Sequence, residues 1–237
     1  MSQPAWPQTV YEGFDLTFPV YNGGTGLSDA WQQGGWNFVS ASRYTASGGS
    51  LSRTSLQTSG GRISGGAFTE INGAVRTLAQ TIGTDNTTAY LSFLLRPQGT
   101  LNDGLFNGFF GLTLNAFQTL FIGKPGGGTL GEYVVETAGG VGQVSSGTSA
   151  VVGQTTFLVL KAQFLSGNDI FTLYANPAPG DPEPAVGVVK ADLDLGVVSA
   201  LGIYSTGAFA IDEIRIGTAY ADVTPKSDVI FEDGFEI

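Results

Sequence analysis

Short strand-like runs recur along this chain, and clusters of Gly, Asn, Asp, Ser or Pro separate them. No window carries a sustained apolar repeat of 3.6 residues, and the best helix-forming residues are scarce. Ten or more strands without a helix predict a β-sandwich or a β-barrel. The predicted strands are 9–18, 36–42, 89–97, 108–115, 119–123, 132–137, 155–164, 169–177, 198–205 and 209–217.

Two of these runs are apolar at both alternating phases, LSFLL (91–95) and FLVL (157–160). A strand with this pattern is covered on both faces, whereas a half-exposed strand alternates apolar and polar residues. The chain is therefore expected to be all-β, folding into a two-sheet antiparallel sandwich with partly covered faces.

Turn-forming residues divide the strands and outline the organisation of the chain. LNDG (101–104) and SGND (166–169) have the composition of hairpin-type loops. Longer loops rich in Gly or Pro are predicted at 22–36, 123–131 and 176–187. The predicted organisation is an N-terminal arm (1–8), one sandwich domain (9–225) and an acidic, aromatic C-terminal tail (226–237).

Composition excludes several classes of function. The formal net charge of −10 argues against nucleic acid and anionic lipid as partners, because both require a basic surface. The chain has no cysteine, so disulfides and thiol nucleophiles are excluded, and no apolar run is long enough to span a membrane. MSQPAWPQT lacks the basic start and apolar segment of a signal peptide, so we expect the mature form of a secreted or cell-surface protein.

The chain resembles a secreted bacterial family of concanavalin-A-like (laminin-G-like) jelly-roll domains in the segments VYEGFDL, GGRISGG, YLSFLLRP, GFFGLTLN, LFIGKPGGG and LGIYSTGAFAIDEIRIGTAYADVTP. The resemblance covers about residues 9 to 225. It implies two curved antiparallel sheets, adjacent first and last strands, and an extracellular setting. It does not imply an activity, because this fold hosts lectins, glucanases, lyases and inert spacers. The tail DVIFEDGFEI also resembles the IFxDGFE endings of secreted proteins from xanthomonad-type bacteria.

Catalysis is not expected from the residues present. Histidine is absent, which excludes a Ser-His-Asp triad and a histidine-based zinc site. The chain lacks the Glu-x-Asp-x-x-Glu strand motif that glycosidases of this fold share. Glu132 and Glu136 lie about 13 Å apart on a regular strand, whereas a retaining glycosidase places its carboxyl groups about 5 Å apart. Asp192 and Asp194 follow a proline-rich loop and are expected at a solvated edge.

The adjacent acids Asp212 and Glu213 interrupt the last predicted strand. The apolar residues of FAI (209–211) and IRI (214–216) lie on opposite alternation phases, so a regular strand cannot turn both toward the core. A β-bulge at the two acids would shift the phase. Alternatively, both faces of the strand are covered and one carboxylate is buried.

A buried carboxylate in this strand needs backbone donors, an arginine or a cation. The family resemblance makes the first strand a neighbour, which would bring Glu12 and Asp15 near Asp212. Together with loop carbonyls these oxygens could hold a structural Ca²⁺. The alternative is an aspartate that accepts hydrogen bonds from backbone N–H groups or pairs with an arginine such as Arg215.

Glycan sites on sandwiches combine exposed aromatic faces with side chains that bond to hydroxyl groups. The first candidate group lies in the predicted loop 22–36 and at the start of the strand that follows it, and comprises Trp31, Trp36, Asp29 and Asn37. The second lies around the GKPGGG loop and comprises Tyr133, Phe106 and Lys124. In the alternative interpretation Trp36 opens a strand as a core residue and Trp31 caps the sandwich.

The C-terminal tail repeats a pattern from the first strand, since FEDGFE (231–236) matches YEGFD (11–15) in its order of aromatic, acidic and glycine residues. We hypothesise that the tail adds as a strand to a sheet edge of a neighbouring molecule. The residues expected to make this contact are Val229, Ile230, Phe231, Phe235 and Ile237. The alternative is a flexible tail or an export and anchoring signal.

The sequence thus favours a non-catalytic extracellular sandwich for adhesion or glycan binding at a bacterial surface. The second interpretation is a subunit of an extracellular fibre or surface layer that self-associates through its tail. The third is an enzyme acting on polysaccharide.

Overall fold

The computed structural model describes residues 10–14, 23–33, 43–115, 119–127 and 131–227. This part of the chain is almost entirely strand, with a short α-helix α1 (Tyr220–Val223) and one 3₁₀ turn, Leu105–Asn107. The strands are β1 (Val10–Glu12), β2 (Leu27–Gln33), β3 (Tyr44–Gly48), β4 (Gly61–Gly65), β5 (Asn72–Ile82), β6 (Thr87–Pro97), β7 (Phe110–Leu114), β8 (Leu120–Lys124), β9 (Glu132–Thr137), β10 (Val141–Ser149), β11 (Thr156–Phe164), β12 (Asp169–Ala175), β13 (Val188–Leu193), β14 (Val198–Ser205) and β15 (Phe209–Gly217).

The strands form two antiparallel sheets. The eight-stranded sheet has the order β13-β12-β11-β6-β15-β4-β3, and β1 also pairs with β15. The seven-stranded sheet has the order β10-β9-β8-β7-β14-β5-β2. Consecutive strands β6 and β7 lie in different sheets, as do β14 and β15, so the chain crosses between the layers repeatedly. The predicted all-β, two-sheet antiparallel jelly-roll fold is confirmed.

The main core lies between the two sheets and draws on alternate residues of both. Burying each large apolar side chain of this kind contributes about 1.5–3 kcal/mol. The eight-stranded sheet contributes Leu91, Phe93, Leu95, Leu158, Leu160, Phe171, Leu173, Phe209 and Ile211, among others. The seven-stranded sheet contributes Leu112, Leu114, Leu120, Ile122, Val135, Leu201 and Ile203.

A second apolar cluster covers the outer face of the eight-stranded sheet. It joins Leu51, Leu56 and the residues of α1 to side chains from the phase opposite to the core, including Leu94, Phe157, Val159 and Tyr174. This covering explains the runs that are apolar at both phases, because each face of β6 and β11 is buried against its own cluster. The expectation of partly covered faces is therefore confirmed.

The first and last strands are neighbours, as the family resemblance implies. Val10, Tyr11 and Glu12 pair antiparallel with residues 216, 215 and 214 of β15. Between the sheets, Arg76 of β5 donates a hydrogen bond to the Glu12 carboxylate, and both side chains are almost completely buried. This ion pair joins the two layers at the end of the sandwich where β1 lies.

The acids of β15 form the bulge that the alternation predicts. The register against β6 shifts between Asp212 and Arg215, and Glu213 has a left-handed φ of 55°. As a result the apolar residues at 209, 211, 214 and 216 all belong to the one core between the sheets. The outer face of β15 is also covered. Both alternatives from the sequence, a β-bulge and a strand buried on both faces, are therefore present.

Several strand boundaries and loops differ from the prediction. Leu27–Gln33, predicted as part of a loop, is the strand β2, which pairs with β5. Predicted strand 36–42 lies outside the described residues, and of predicted strand 9–18 the structure describes β1 and residues 13 and 14. SGND forms the hairpin between β11 and β12, whereas LNDG lies in the crossover from β6 to β7.

Five further strands, β3, β4, β5, β10 and β13, carry too weak a pattern for the sequence to predict them. Strand β10 reads VGQVSSGTS and is mostly exposed or half-buried, so no apolar alternation marks it. Its position is fixed from outside, because the buried Lys190 of β13 donates hydrogen bonds to the carbonyl oxygens of Val141 and Gly142. Among the described residues, no helix has the length and apolar character to cross a membrane.

Candidate functional site

A cavity of about 480 Å³ lies on the outer face of the seven-stranded sheet, and we call it the outer-face cavity. It is open to solvent above strands β7, β8, β9 and β14. Its lining residues are Ile71, Phe106, Phe109, Phe121, Gly126, Gly127, Glu136, Ala138, Gly139, Gly140 and Tyr204.

Strand alternation places aromatic rings on this face. In β8 (LFIGK), Leu120 and Ile122 belong to the core, whereas Phe121 packs in a separate small cluster with Phe109 and Val134. Gly111 of β7 pairs with Gly123 of β8, and the Phe121 ring lies across this position. A Cβ atom at Gly111 would lie 2.8 Å from Phe121 Cζ. Glycine is required here because a Cβ atom would lie even closer to the carbonyl oxygen of Ile122, so a side chain would clash with the backbone of β8 as well as with the ring.

The rings meet in contact geometry. The centroids of Phe109 and Tyr204 are 4.8 Å apart at an interplanar angle of 44°. Phe109 and Phe121 meet edge to face, with centroids 6.2 Å apart. Phe106 is 56% exposed at the mouth, which is unusual for so large an apolar side chain.

The segment that presents Phe106 is held in a left-handed conformation. Phe106 has φ 54° and Asn107 has φ 59°, values that non-glycine residues adopt at a cost of about 1–2 kcal/mol each. The N–H of Gly127 donates to the carbonyl oxygen of Phe106 at 2.7 Å and ties this segment to the GKPGGG loop. Backbone strain held by surrounding contacts in this way is common at ligand sites.

Lys124 fixes the same segment from below. Its buried Nζ donates hydrogen bonds to the carbonyl oxygens of Asn107 and Gly108. Burial lowers the pKa of Lys124 to about 8. The residue therefore positions the mouth of the cavity without lining it.

Glu136 is the acidic group of the outer-face cavity. It lies in β9, is 5% exposed, and accepts a hydrogen bond from Gln143 Nε2 of β10 at 2.5 Å. Burial raises its pKa above the ordinary range of a glutamate, while Gln143, the Gly140 backbone and the charge of Lys190 act in the opposite direction. The site thus combines aromatic walls with a partly desolvated carboxylate.

The predicted group of Tyr133, Phe106 and Lys124 is corrected in part. Its position beside the GKPGGG loop coincides with the cavity, and Phe106 does line it. Tyr133 is fully buried in the core, where burial raises its pKa to about 12, so it offers no face to a ligand. In β8 the side chain of Lys124 points toward the core and that of Phe121 points outward. In β9 the side chain of Tyr133 points toward the core and that of Glu136 points outward. Phe109, Phe121 and Tyr204 were missed, because alternation places Phe121 opposite to Lys124 but the sequence alone does not say which of the two phases faces the core.

Of the first predicted group, the structure describes the side chain of Trp31. Its indole N–H donates to the Glu12 carboxylate at 2.9 Å, and its ring lies 6.0 Å from that of Phe14. Trp31 is half-buried against the core, as the capping interpretation proposed. Trp36, Asn37 and the side chain of Asp29 lie outside the described residues, so the glycan site proposed for this group stays a prediction.

The carboxylates proposed for a calcium site occupy different places. Glu12 faces the seven-stranded sheet, where it accepts hydrogen bonds from Arg76, Trp31 and the N–H of Phe14. Asp212 lies on the opposite face of the eight-stranded sheet, and Asp15 lies outside the described residues. Within the described ranges no cluster of three or more metal-ligating side chains occurs.

Asp212 matches the alternative from the sequence, an aspartate that accepts hydrogen bonds from backbone N–H groups. It accepts hydrogen bonds from the N–H groups of Leu51 at 2.7 Å and Glu213 at 2.8 Å, and from the hydroxyl of Ser50. Glu213 pairs with Arg215. Burial and the nearby charge of Glu213 together raise the pKa of Asp212 to about 8, although the hydrogen bonds from Ser50 and the two backbone N–H groups act in the opposite direction. The doublet therefore anchors the loop at residue 51 to the bulge.

A second polar cluster lies on the outer face of the eight-stranded sheet. Glu183, in the proline-rich loop 176–187, accepts hydrogen bonds from Tyr90 at 2.8 Å, Tyr174 at 2.7 Å and Lys161 at 2.9 Å. These bonds attach the loop to the sheet. Val229, Ile230, Phe231, Phe235 and Ile237 of the tail lie outside the described residues.

Comparison with known proteins gives similarity of fold. No family model and no curated protein matches the chain. Among solved structures, the carbohydrate recognition domain of Emp47p is 10% identical, with a TM-score of 0.43, over 75% of this chain and 89% of that chain. The exoplasmic/lumenal domain of VIP36, in a Ca²⁺/Man2-bound form, is 12% identical, with a TM-score of 0.45, over 77% and 83%.

Two further structures extend the comparison. The globular domain of T. cruzi calreticulin is 10% identical, with a TM-score of 0.44, over 78% of this chain and 87% of that chain. A bifunctional GH43-CE protein of Bacteroides eggerthii is 14% identical, with a TM-score of 0.44, over 88% of this chain but 27% of its own length. The similarity of all four proteins to this chain extends no further than the β-sandwich fold.

Proposed function

We propose that the protein is a non-catalytic carbohydrate-binding module whose ligand occupies the outer-face cavity. The observation that carries the proposal is the exposed ring of Phe106 at the mouth and the half-buried ring of Tyr204, which rest on the nearly buried rings of Phe109 and Phe121. The C–H surface of a sugar ring packs on such aromatic faces, and a carboxylate such as that of Glu136 accepts hydrogen bonds from sugar hydroxyl groups. The volume of about 480 Å³ falls in the usual range of small-ligand sites, about 300–1,000 Å³.

Binding without turnover fits the acids of the cavity. Glycoside hydrolysis requires a pair of carboxyl groups on either side of the scissile bond. Among the described lining residues, Glu136 is the one that carries a carboxylate. Glu132 of the same strand is engaged with the hydroxyl of Ser145.

The setting that we propose is the outside of a bacterial cell, with adhesion as the biological role. The acidic composition and the absence of cysteine support this setting, since they suit an exported protein that contacts neither nucleic acid nor anionic lipid.

A glycan array followed by isothermal titration calorimetry tests the proposal. We expect one class of glycan to bind, and Tyr204→Ala to reduce its affinity at least tenfold because the floor of the cavity loses a ring. Leu165→Ala removes an exposed apolar side chain of a distant hairpin and should bind as the wild type does. Absence of any glycan ligand, or equal affinity of the Tyr204 variant and the wild type, would contradict the proposal.

Self-association through the C-terminal tail is a second proposal. The N–H of Ser227 donates to the carbonyl oxygen of Ser55 at 2.9 Å, and Leu56 bridges to Lys226, so the chain is held on the sandwich up to residue 227. Deletion of residues 228–237 therefore removes the tail without removing this contact. Light scattering and electron microscopy should detect assemblies of the full chain that the deletion abolishes. Assemblies that survive the deletion, or a full chain that stays monomeric, would refute the idea.

A further inference from the structure

The charge inside the outer-face cavity has one sign. Among the described lining residues Glu136 carries the one formal charge, and no lysine or arginine faces the cavity. The whole chain adds to this field with a formal net charge of −10. An anionic ligand would meet repulsion at the site and from the protein as a whole.

The aromatic rings of the cavity, like the carboxylate of Glu136, attract a cationic ligand. The face of an aromatic ring carries negative electrostatic potential, so a cation above it is attracted, most strongly where water is excluded. Phe106, Phe109, Phe121 and Tyr204 surround the space beside Glu136. Phe109 and Phe121 are almost completely buried, so the faces open to a ligand are those of Phe106 and the half-buried Tyr204. These two faces together with a carboxylate are suited to an ammonium group whose surface is rich in C–H bonds.

Lys190, whose charge lowers the pKa of Glu136, does not pair with the Glu136 carboxylate. Lys190 contributes its charge to the surroundings of Glu136, but its Nζ donates to Asp192 Oδ1 at 2.6 Å and to the carbonyl oxygens of Val141 and Gly142. Its charge is thus matched by Asp192. The hydrogen bonds that Glu136 receives from Gln143 and from the Gly140 backbone come from neutral groups and do not cancel the charge of the carboxylate.

We infer that the outer-face cavity selects ligands carrying an ammonium group, such as an amino sugar with a free, protonated amine. The inference rests on the proposed function for the location of the site and narrows its ligand class. The ammonium contacts the ring faces and the Glu136 carboxylate, and the remaining sugar surface packs at the mouth against Phe106. An alkylated ammonium compound such as choline has the same chemistry without the sugar.

Matched pairs of ligands separate charge from shape. Choline is compared with 3,3-dimethylbutan-1-ol, its uncharged isostere, and glucosamine oligomers are compared with glucose oligomers of the same linkage and length, in which a hydroxyl group replaces the ammonium group. Titration calorimetry near neutral pH favours the ionised form of Glu136, whose pKa burial raises, and choline carries its charge at every pH. We expect each cation to bind at least tenfold more tightly than its neutral partner, which corresponds to about 1.4 kcal/mol and lies within the range of cation–aromatic contacts.

Two variants locate the effect. Glu136→Gln keeps the shape of the side chain and should weaken the binding of the cations about tenfold while leaving the neutral ligands unchanged. Glu132→Gln, in the same strand but outside the lining, is the control and should bind as the wild type does.

The outcomes are distinct for the two claims. Neutral sugars that bind as tightly as the amino sugars overturn the inference and leave the proposed function standing. Choline that binds tenfold above its isostere, with no glycan bound at all, supports ammonium selection and overturns the carbohydrate proposal. Absence of binding by either cation, or a Glu136→Gln variant with unchanged selectivity, overturns the inference.

Discussion

Lys124 Nζ lies 3.2 Å from the carbonyl oxygen of Gly108 and donates a hydrogen bond to it from inside the sandwich. Lys124 belongs to β8. Phe121 of the same strand projects to the opposite face of the sheet and lines the outer-face cavity. A buried cation therefore holds the segment that carries Phe106. The relationship links the core of the sandwich to the shape of the proposed site.

Lys124→Met tests this link. Methionine preserves much of the apolar packing but cannot donate to the Asn107 and Gly108 carbonyl oxygens, so the segment should loosen and glycan affinity should fall several-fold. Titration calorimetry measures the loss, and Lys226→Met, at an exposed lysine, is the control. Equal affinity of the Lys124 variant and the wild type would show that the segment holds its shape without this contact.

Lys124 also makes the free energy of unfolding depend on pH in the alkaline range. The folded-state pKa of Lys124, about 8, lies below its ordinary value of 10.5. Between these values the unfolded chain binds more protons than the folded chain, so this residue makes the free energy of unfolding rise with pH. Urea denaturation from pH 8 to 10.5 should show a smaller rise in Lys124→Met than in the wild type. Identical slopes would contradict the assignment.

Phe106→Gly separates ligand binding from folding at the mouth of the cavity. The ring is 56% exposed and its backbone is left-handed, a conformation that glycine adopts without steric cost. We expect the melting temperature to stay unchanged or to rise, while the affinity for the ligand falls by roughly two- to tenfold, the worth of one aromatic contact. A variant that loses stability but binds normally would assign Phe106 a purely structural role.

Asp212→Asn should flatten the stability profile at acidic to neutral pH. The pKa of Asp212 is raised from 3.8 to about 8, so between these values the folded chain binds more protons than the unfolded chain. This residue therefore makes the free energy of unfolding fall as pH rises through that window. Denaturation curves from pH 4 to 8 measure the slope, and Asp194→Asn, at an exposed aspartate, is the control. A slope unchanged in the Asp212 variant would refute the prediction.

Arg76→Met should be among the most destabilising single changes in the chain. It leaves the Glu12 carboxylate buried without the cation that faces it, and breaking a buried pair in this way costs about 3–5 kcal/mol. Arg43→Met breaks the half-exposed pair with Glu70 and should cost about 0–1 kcal/mol. Chemical denaturation measures the free energy of unfolding of both variants. Similar decreases in the two variants would show that the buried pair contributes no more to stability than the half-exposed pair.

The sequence predicts those strands whose apolar pattern is strong. Strands β9, β14 and β15 have the predicted bounds, and the bulge at Asp212 and Glu213 follows from two conflicting alternation phases. Strand β10 could not be predicted, because its polar residues carry no alternation and its place is set by pairing with β9 and by Lys190.

For the proposed site, the sequence singles out the GKPGGG loop and Phe106 but not the other residues that line the cavity. The GKPGGG loop marks the rim, yet the choice between Tyr133 and Phe121 depends on which phase of each strand faces the core. Local sequence does not decide that phase for β8, since LFIGK is apolar at both positions. Glu136 belongs to the site because residues from other strands and loops line the same cavity. The order of residues in the sequence does not show that these segments lie side by side.

An NMR titration with the best ligand of the glycan array tests the central claim most directly, because it reports where the ligand binds. The account predicts shifts of the aromatic resonances of Phe106, Phe109, Phe121 and Tyr204, together with the amides of the glycines at 126, 127, 139 and 140. Shifts confined to Trp31 and its surroundings, with the cavity resonances unchanged, would contradict it.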